Sequence, residues 1–97
     1  MKKGKKPQKA KIAVPENLSP IFTNTIQINY KEDEFVFYVC HTFPAGDSVR
    51  GVMKAIISMT PQHAKRLLKV LSRTIQGYEQ RFGEIHLTEE PKKSQGG

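Results

Sequence analysis

The chain has 97 residues and a formal net charge of +7, which is room for one domain and no more. A single cysteine, Cys40, excludes an internal disulfide and with it a disulfide-stapled secreted scaffold. No apolar stretch approaches the ~18 residues of a membrane span, and the N-terminal lysines lead into Ile12-Ala13-Val14-Pro15 rather than a secretory apolar region, so no membrane association and a cytoplasmic location are expected.

The charge is unevenly placed. Lys2, Lys3, Lys5, Lys6, Lys9 and Lys11 crowd the first twelve residues, whereas between Ala13 and His86 eight basic side chains face seven acidic ones. Residues 1–12 and 87–97 are too poor in apolar groups to offset the entropy of ordering and are expected to be disordered. One domain is therefore expected over residues 13–86, a size at which a lone chain is marginally stable and self-association helps.

In chain order, Val14-Pro-Glu-Asn-Leu-Ser-Pro20 is a proline-punctuated connector, with the option of a fourth edge strand over residues 13–20. From Ile21 to Tyr30 the residues alternate, with Phe22, Ile26, Ile28 and Tyr30 on one face and Thr23, Thr25, Gln27 and Asn29 on the other, which predicts a half-buried strand in which Asn24 is the exception on the apolar face. Lys31-Glu-Asp-Glu34 has hairpin length. Phe35–Phe43 is apolar on both faces, as a central strand covered twice would be. After the turn chemistry of Pro44–Ser48, a third strand over Val49–Ile57 is expected to set Val49, Met53, Ala55 and Ile57 on one face and Arg50, Val52, Lys54 and Ile56 on the other.

Ser58–Gly83 reads as a capped amphipathic helix. Thr60 offers a capping hydroxyl, Pro61 suits the first helical position, and Gly83 accepts the turn that ends a helix. Gly77 weakens the last turns by about 1 kcal/mol relative to alanine. Ala64, Leu67, Leu68, Leu71, Ile75, Tyr78 and Phe82 form one stripe, expected to be buried on the sheet, and Lys65, Arg66, Lys69 and Arg73 lie opposite. The predicted fold class is α+β: a three-stranded antiparallel β-meander followed by one long C-terminal helix, β-β-β-α.

Since a helix covers one side of such a sheet, Val36, Tyr38, Cys40, Val52 and Ile56 are expected to form an apolar patch on the other. Such a patch points to a homo-oligomer, most simply a dimer, unless the connector at residues 13–20 folds back over it.

Pro15-Glu16, Ile21-Phe-Thr-Asn24, Glu34-Phe35 and Ser58-Met-Thr-Pro-Gln-His-Ala-Lys-Arg-Leu-Leu68, followed by Ile75, Tyr78-Glu79 and Phe82-Gly83, together resemble the bacterial and archaeal family catalogued as domain of unknown function 3467. The resemblance spans roughly residues 13–85 and departs from the family pattern at Tyr38-Val39 and in the length of the lysine arm. It implies the architecture and carries no activity, cofactor or site residue.

The residues offer little chemistry. Cys40 and His41 are strand neighbours whose side chains point to opposite faces, His63 and His86 stand apart, and none has zinc-ligand spacing. Glu32, Asp33 and Glu34 lack the alternating ligands and glycine of a calcium loop, and Ala45-Gly46-Asp47 lacks the repeated glycines of a phosphate cradle. No catalytic residue, metal or cofactor is nominated, and the protein is not expected to be an enzyme. Clustered lysines on a flexible arm suit a polyanion, so the leading expectation is DNA or RNA contact through Lys2, Lys3, Lys5, Lys6, Lys9, Lys11, Lys65, Arg66, Lys69 and Arg73, with Tyr30, Tyr38 or His41 as stacking surfaces. The competing expectation is an adaptor that takes a protein partner on its apolar sheet face or edge strand.

Overall fold

A computed structural model describes residues 9–88; Lys2, Lys3, Lys5, Lys6 and most of the C-terminal tail lie outside that range. Four elements follow in order: β1 (Thr25–Lys31), β2 (Glu34–Ala45), β3 (Ser48–Met59) and α1 (Pro61–Phe82). The sheet is antiparallel in the order β1-β2-β3, so the fold is the β-β-β-α meander that the alternation and capping signals predict.

Both hairpins close on two residues. Lys31 pairs with Glu34 around Glu32-Asp33, and Ala45 pairs with Ser48 around Gly46-Asp47. Gly46 has φ +64° and Asp47 is not in the positive-φ region, the pattern of a turn that wants glycine at its first central position. These tight turns lengthen β2 and β3 beyond the alternation that announces them.

β1 is shorter than its alternation, starting at Thr25 rather than Ile21, because side chains take over the backbone pairing ahead of it. The Asn24 amide donates from Nδ2 to the Thr42 carbonyl at 2.9 Å and accepts from the Thr42 N–H at 2.9 Å. Thr23 Oγ1 donates to the Cys40 carbonyl at 2.7 Å. Asn24 thus acts as one more rung of the ladder, which is why a polar residue sits in an apolar run. Asn24→Ala leaves both Thr42 groups without their partner and is expected to lower the unfolding free energy by about 1–3 kcal/mol, at about 0.5–1.5 kcal/mol for each hydrogen bond, read from urea denaturation.

Residues 13–20 add no fourth strand. They run as an irregular connector with a turn at Glu16-Asn17, closed by Leu18 N–H donating to the Pro15 carbonyl at 3.2 Å. Pro15 and Pro20 deny the ladder two donors, and Ile12, Val14, Leu18 and Ile21 remain exposed, so the connector does not cover a sheet face either.

The helix begins as its sequence demands. Thr60 is extended (φ −72°, ψ 157°), its Oγ1 accepts from the His63 N–H at 3.1 Å, and Pro61 occupies the first turn. At the other end Gly83, φ +103°, donates its N–H to the Glu79 carbonyl at 2.9 Å. Thr60→Ala is expected to cost about 0.5–2 kcal/mol, visible as a lower thermal midpoint with an unchanged circular dichroism spectrum at 25 °C.

The helix does not do what its stripe predicts within one chain. No α1 residue is buried, and Leu67, Leu68, Leu71, Ile75, Tyr78 and Phe82 are 39% to 66% exposed. The connection explains this. Only Thr60 separates the end of β3 from the start of α1, and Pro61 confines that residue to extended backbone, so the helix leaves in the direction β3 dictates and does not fold flat onto its own sheet. Among the described residues the buried hydrophobic core is Val39 alone, 6% exposed, at the centre of β2.

Candidate nucleic-acid interface

Pairing register decides which side chains share a face. Ile26, Ile28 and Tyr30 on β1 stand opposite Val39, Phe37 and Phe35 on β2, which stand opposite Ala55, Ile57 and Met59 on β3. This first face is apolar. The second carries Gln27 and Asn29 on β1, Val36, Tyr38 and Cys40 on β2, and Ser58 and Ile56 on β3.

A bulge changes the far end of this arrangement. Val39 pairs with Ala55 but Cys40 pairs with Met53, leaving Lys54 as the extra residue. Beyond it the alternation of β3 is inverted. Val52, expected beside Tyr38 and Cys40, stands opposite His41 on the first face, and Met53 takes its place opposite Cys40. The second-face apolar column is therefore Val36, Tyr38, Cys40, Met53 and Ile56. A lysine between Met53 and Ala55 was the available sign of the bulge, since a charged residue is easily spared from a ladder there.

The proposed stacking residues are not brought together. Tyr30 is 77% exposed on the first face, and Tyr38 is half-buried on the second. His41, half-buried on the first face, makes T-shaped ring contacts with Phe22, centroids 5.2 Å apart, and Phe43, 5.5 Å apart.

The basic stripe is different in kind. Lys65, Arg66, Lys69 and Arg73 are all exposed and project from one side of α1, spread over about 12 Å of axis at about 1.5 Å per residue. Gln62, Gln76 and Gln80 extend the same side, with about 100° of rotation per residue. The one acid of the helix, Glu79, is engaged elsewhere, its Oε2 accepting the Ile85 N–H at 2.9 Å. Among the described residues the ion pair is Lys31 Nζ to Glu34 Oε1 at 3.6 Å, so the stripe has no carboxylate partner there. Lys9 and Lys11, also exposed, are the described part of the arm.

Among the described residues no three His, Cys, Asp or Glu side chains are placed to hold a metal ion. A hollow of about 650 Å³ between the first hairpin turn and the helix start is lined by Lys31, Glu32, Asp33, Thr60, Pro61 and Gln62. Among the described residues no helix is long and apolar enough to cross a membrane.

A family model described as protein of unknown function (DUF3467) matches residues 1–87. The chain belongs to that family. The match takes in the first twelve residues as well as all four elements of the DUF3467 fold, a longer span than the motifs between residues 13 and 85 suggest. No curated protein and no solved structure matches the chain.

Proposed function

We propose that this DUF3467 protein is a non-enzymatic, oligomeric nucleic-acid-binding protein of the cytoplasm that contacts the phosphates of DNA or RNA. The observation that carries the reading is the row Lys65, Arg66, Lys69 and Arg73 on an exposed helix face, with no carboxylate partner among the described residues. An array of unpaired cations displaces condensed counterions from a phosphate backbone, giving sequence-independent affinity that falls steeply with salt. Lys2, Lys3, Lys5, Lys6, Lys9 and Lys11 add a second set of contacts.

The test is fluorescence anisotropy of short single- and double-stranded oligonucleotides, with the full chain and with a variant lacking residues 1–12. Salt is set at about 50 and 200 mM, where phosphate-dominated affinities differ by orders of magnitude. Binding that weakens steeply with salt and persists, reduced, in the truncated variant is expected. No binding at the lower salt overturns the reading.

One observation favours a second reading, an adaptor with a protein partner. β3 is an edge strand of twelve residues, and it borders the apolar column of Val36, Tyr38, Cys40, Met53 and Ile56, so a strand added there would gain both backbone bonds and side-chain pockets. Loss of partner capture on Tyr38→Glu, with oligonucleotide binding absent, is the outcome that selects it.

A further inference from the structure

We propose that the fold is completed by a second copy of this chain, with α1 of each protomer laid across the Phe35–Phe43 face of the other's sheet. The pair thus exchanges helices. This specifies the oligomer of the reading above and rests on that part of it; it is independent of any nucleic-acid contact.

The first observation is the missing core. Val39 is the buried hydrophobic residue, and a 22-residue helix stands with none of its residues buried, although helices owe most of their stability in proteins to packing of an apolar face.

The second observation is the link. The single residue Thr60, held extended ahead of Pro61, limits α1 to a narrow approach to β2 of its own sheet, so the stripe stays exposed and Ile26, Ile28 and Ile57 of the sheet face stay exposed with it, all in one chain. Their occupant must offer an apolar helix to the sheet and an apolar sheet to the helix, and a second copy offers both.

The third is the match between the two surfaces. From Ala64 to Phe82 the stripe runs about 27 Å at about 1.5 Å per residue. From Phe35 to Phe43 the strand face runs about 26 Å at about 3.3 Å per residue. Neither carries a charge along its centre: the sheet face is Ile26, Ile28, Phe35, Phe37, Val39 and Ile57, with Arg50 only at the far end opposite Phe43. Such an arrangement is closed and two-fold, and it turns both Lys65–Arg73 rows outward.

The experiment mixes uniformly carbon-13-labelled and unlabelled full chains, unfolds and refolds them together, and records isotope-filtered nuclear Overhauser spectra alongside sedimentation equilibrium. The expected mass is twice the 11.0 kDa of one chain, with cross-peaks between the methyl groups of Leu68, Leu71 and Ile75 on one chain and the rings of Phe35 and Phe37 on the other. Leu71→Glu is expected to weaken dimerisation by more than about 100-fold, while Leu71→Met, similar in volume and polarity, leaves it within about tenfold. A folded monomer of 11.0 kDa overturns this proposal and the oligomeric reading together. A dimer whose inter-chain contacts involve only Val36, Tyr38, Met53 and Ile56 overturns the helix exchange and leaves the oligomer standing. A larger assembly overturns the closed pair.

Discussion

Val39→Asp is expected to abolish the cooperative unfolding transition. Val39 is the most enclosed apolar side chain of the described residues, with Ile26 opposite on one neighbour and Ala55 on the other. A carboxylate placed there has no cation beside it, since Arg50 on the same face lies at the far end opposite Phe43. Burial of an unpaired polar or charged group costs several kcal/mol, comparable to the whole stability of a domain this small. Circular dichroism is expected to show loss of the strand signal at 25 °C. Ile12→Asp, at an exposed connector position, serves as the comparison and is expected to change stability by no more than about 0.5 kcal/mol. A Val39→Asp protein that unfolds cooperatively at the wild-type midpoint would show that the centre of β2 is not the core.

Replacing Lys65, Arg66, Lys69 and Arg73 together with glutamine is expected to lower the slope of log affinity against log salt by about 3 per contacting chain, since each phosphate contact contributes about 0.7–0.9 to it. Glutamine has nearly the helix propensity of lysine and arginine, so the helix signal and the unfolding midpoint should hold. The measurement is an oligonucleotide titration at four or more salt concentrations with the residues of the arm intact. An unchanged slope would assign all contacts to residues 1–12 and remove the helix from the interface. Because the stripe has no carboxylate neighbours among the described residues, no ion pair is broken by the substitution and the slope reports solvent-facing contacts alone.

Much of the fold was legible because it is written in local chemistry. Thr60-Pro61 at the start and Gly83 at the end bracket the helix, and the observed Pro61–Phe82 falls inside those signals. Phe35–Phe43, apolar on both faces, marks the central strand, and β2 is central. The candidate site was legible in the same way, since the angular spacing of Lys65, Arg66, Lys69 and Arg73 depends on the helix and on nothing else.

Where the reading by residues falls short, a distant partner is involved. Asn24 reads as a flaw in an apolar run, yet its amide fills the backbone pairing of Thr42, eighteen positions on. Val52 and Met53 exchange faces because Lys54 drops out of the ladder, an event set by how β2 and β3 fit together and not by the alternation of β3 alone. The periodicity of α1 announces that its stripe must be covered, but not by what.

The sequence by itself determined the four elements, their order and the sidedness of β1, β2 and the helix, because caps, turns and periodicities act within a few residues. Only the tertiary structure decided that α1 comes near its own sheet chiefly at β2 and leaves its stripe exposed. That outcome follows from a one-residue connection whose direction is imposed by the strand before it and the proline after it.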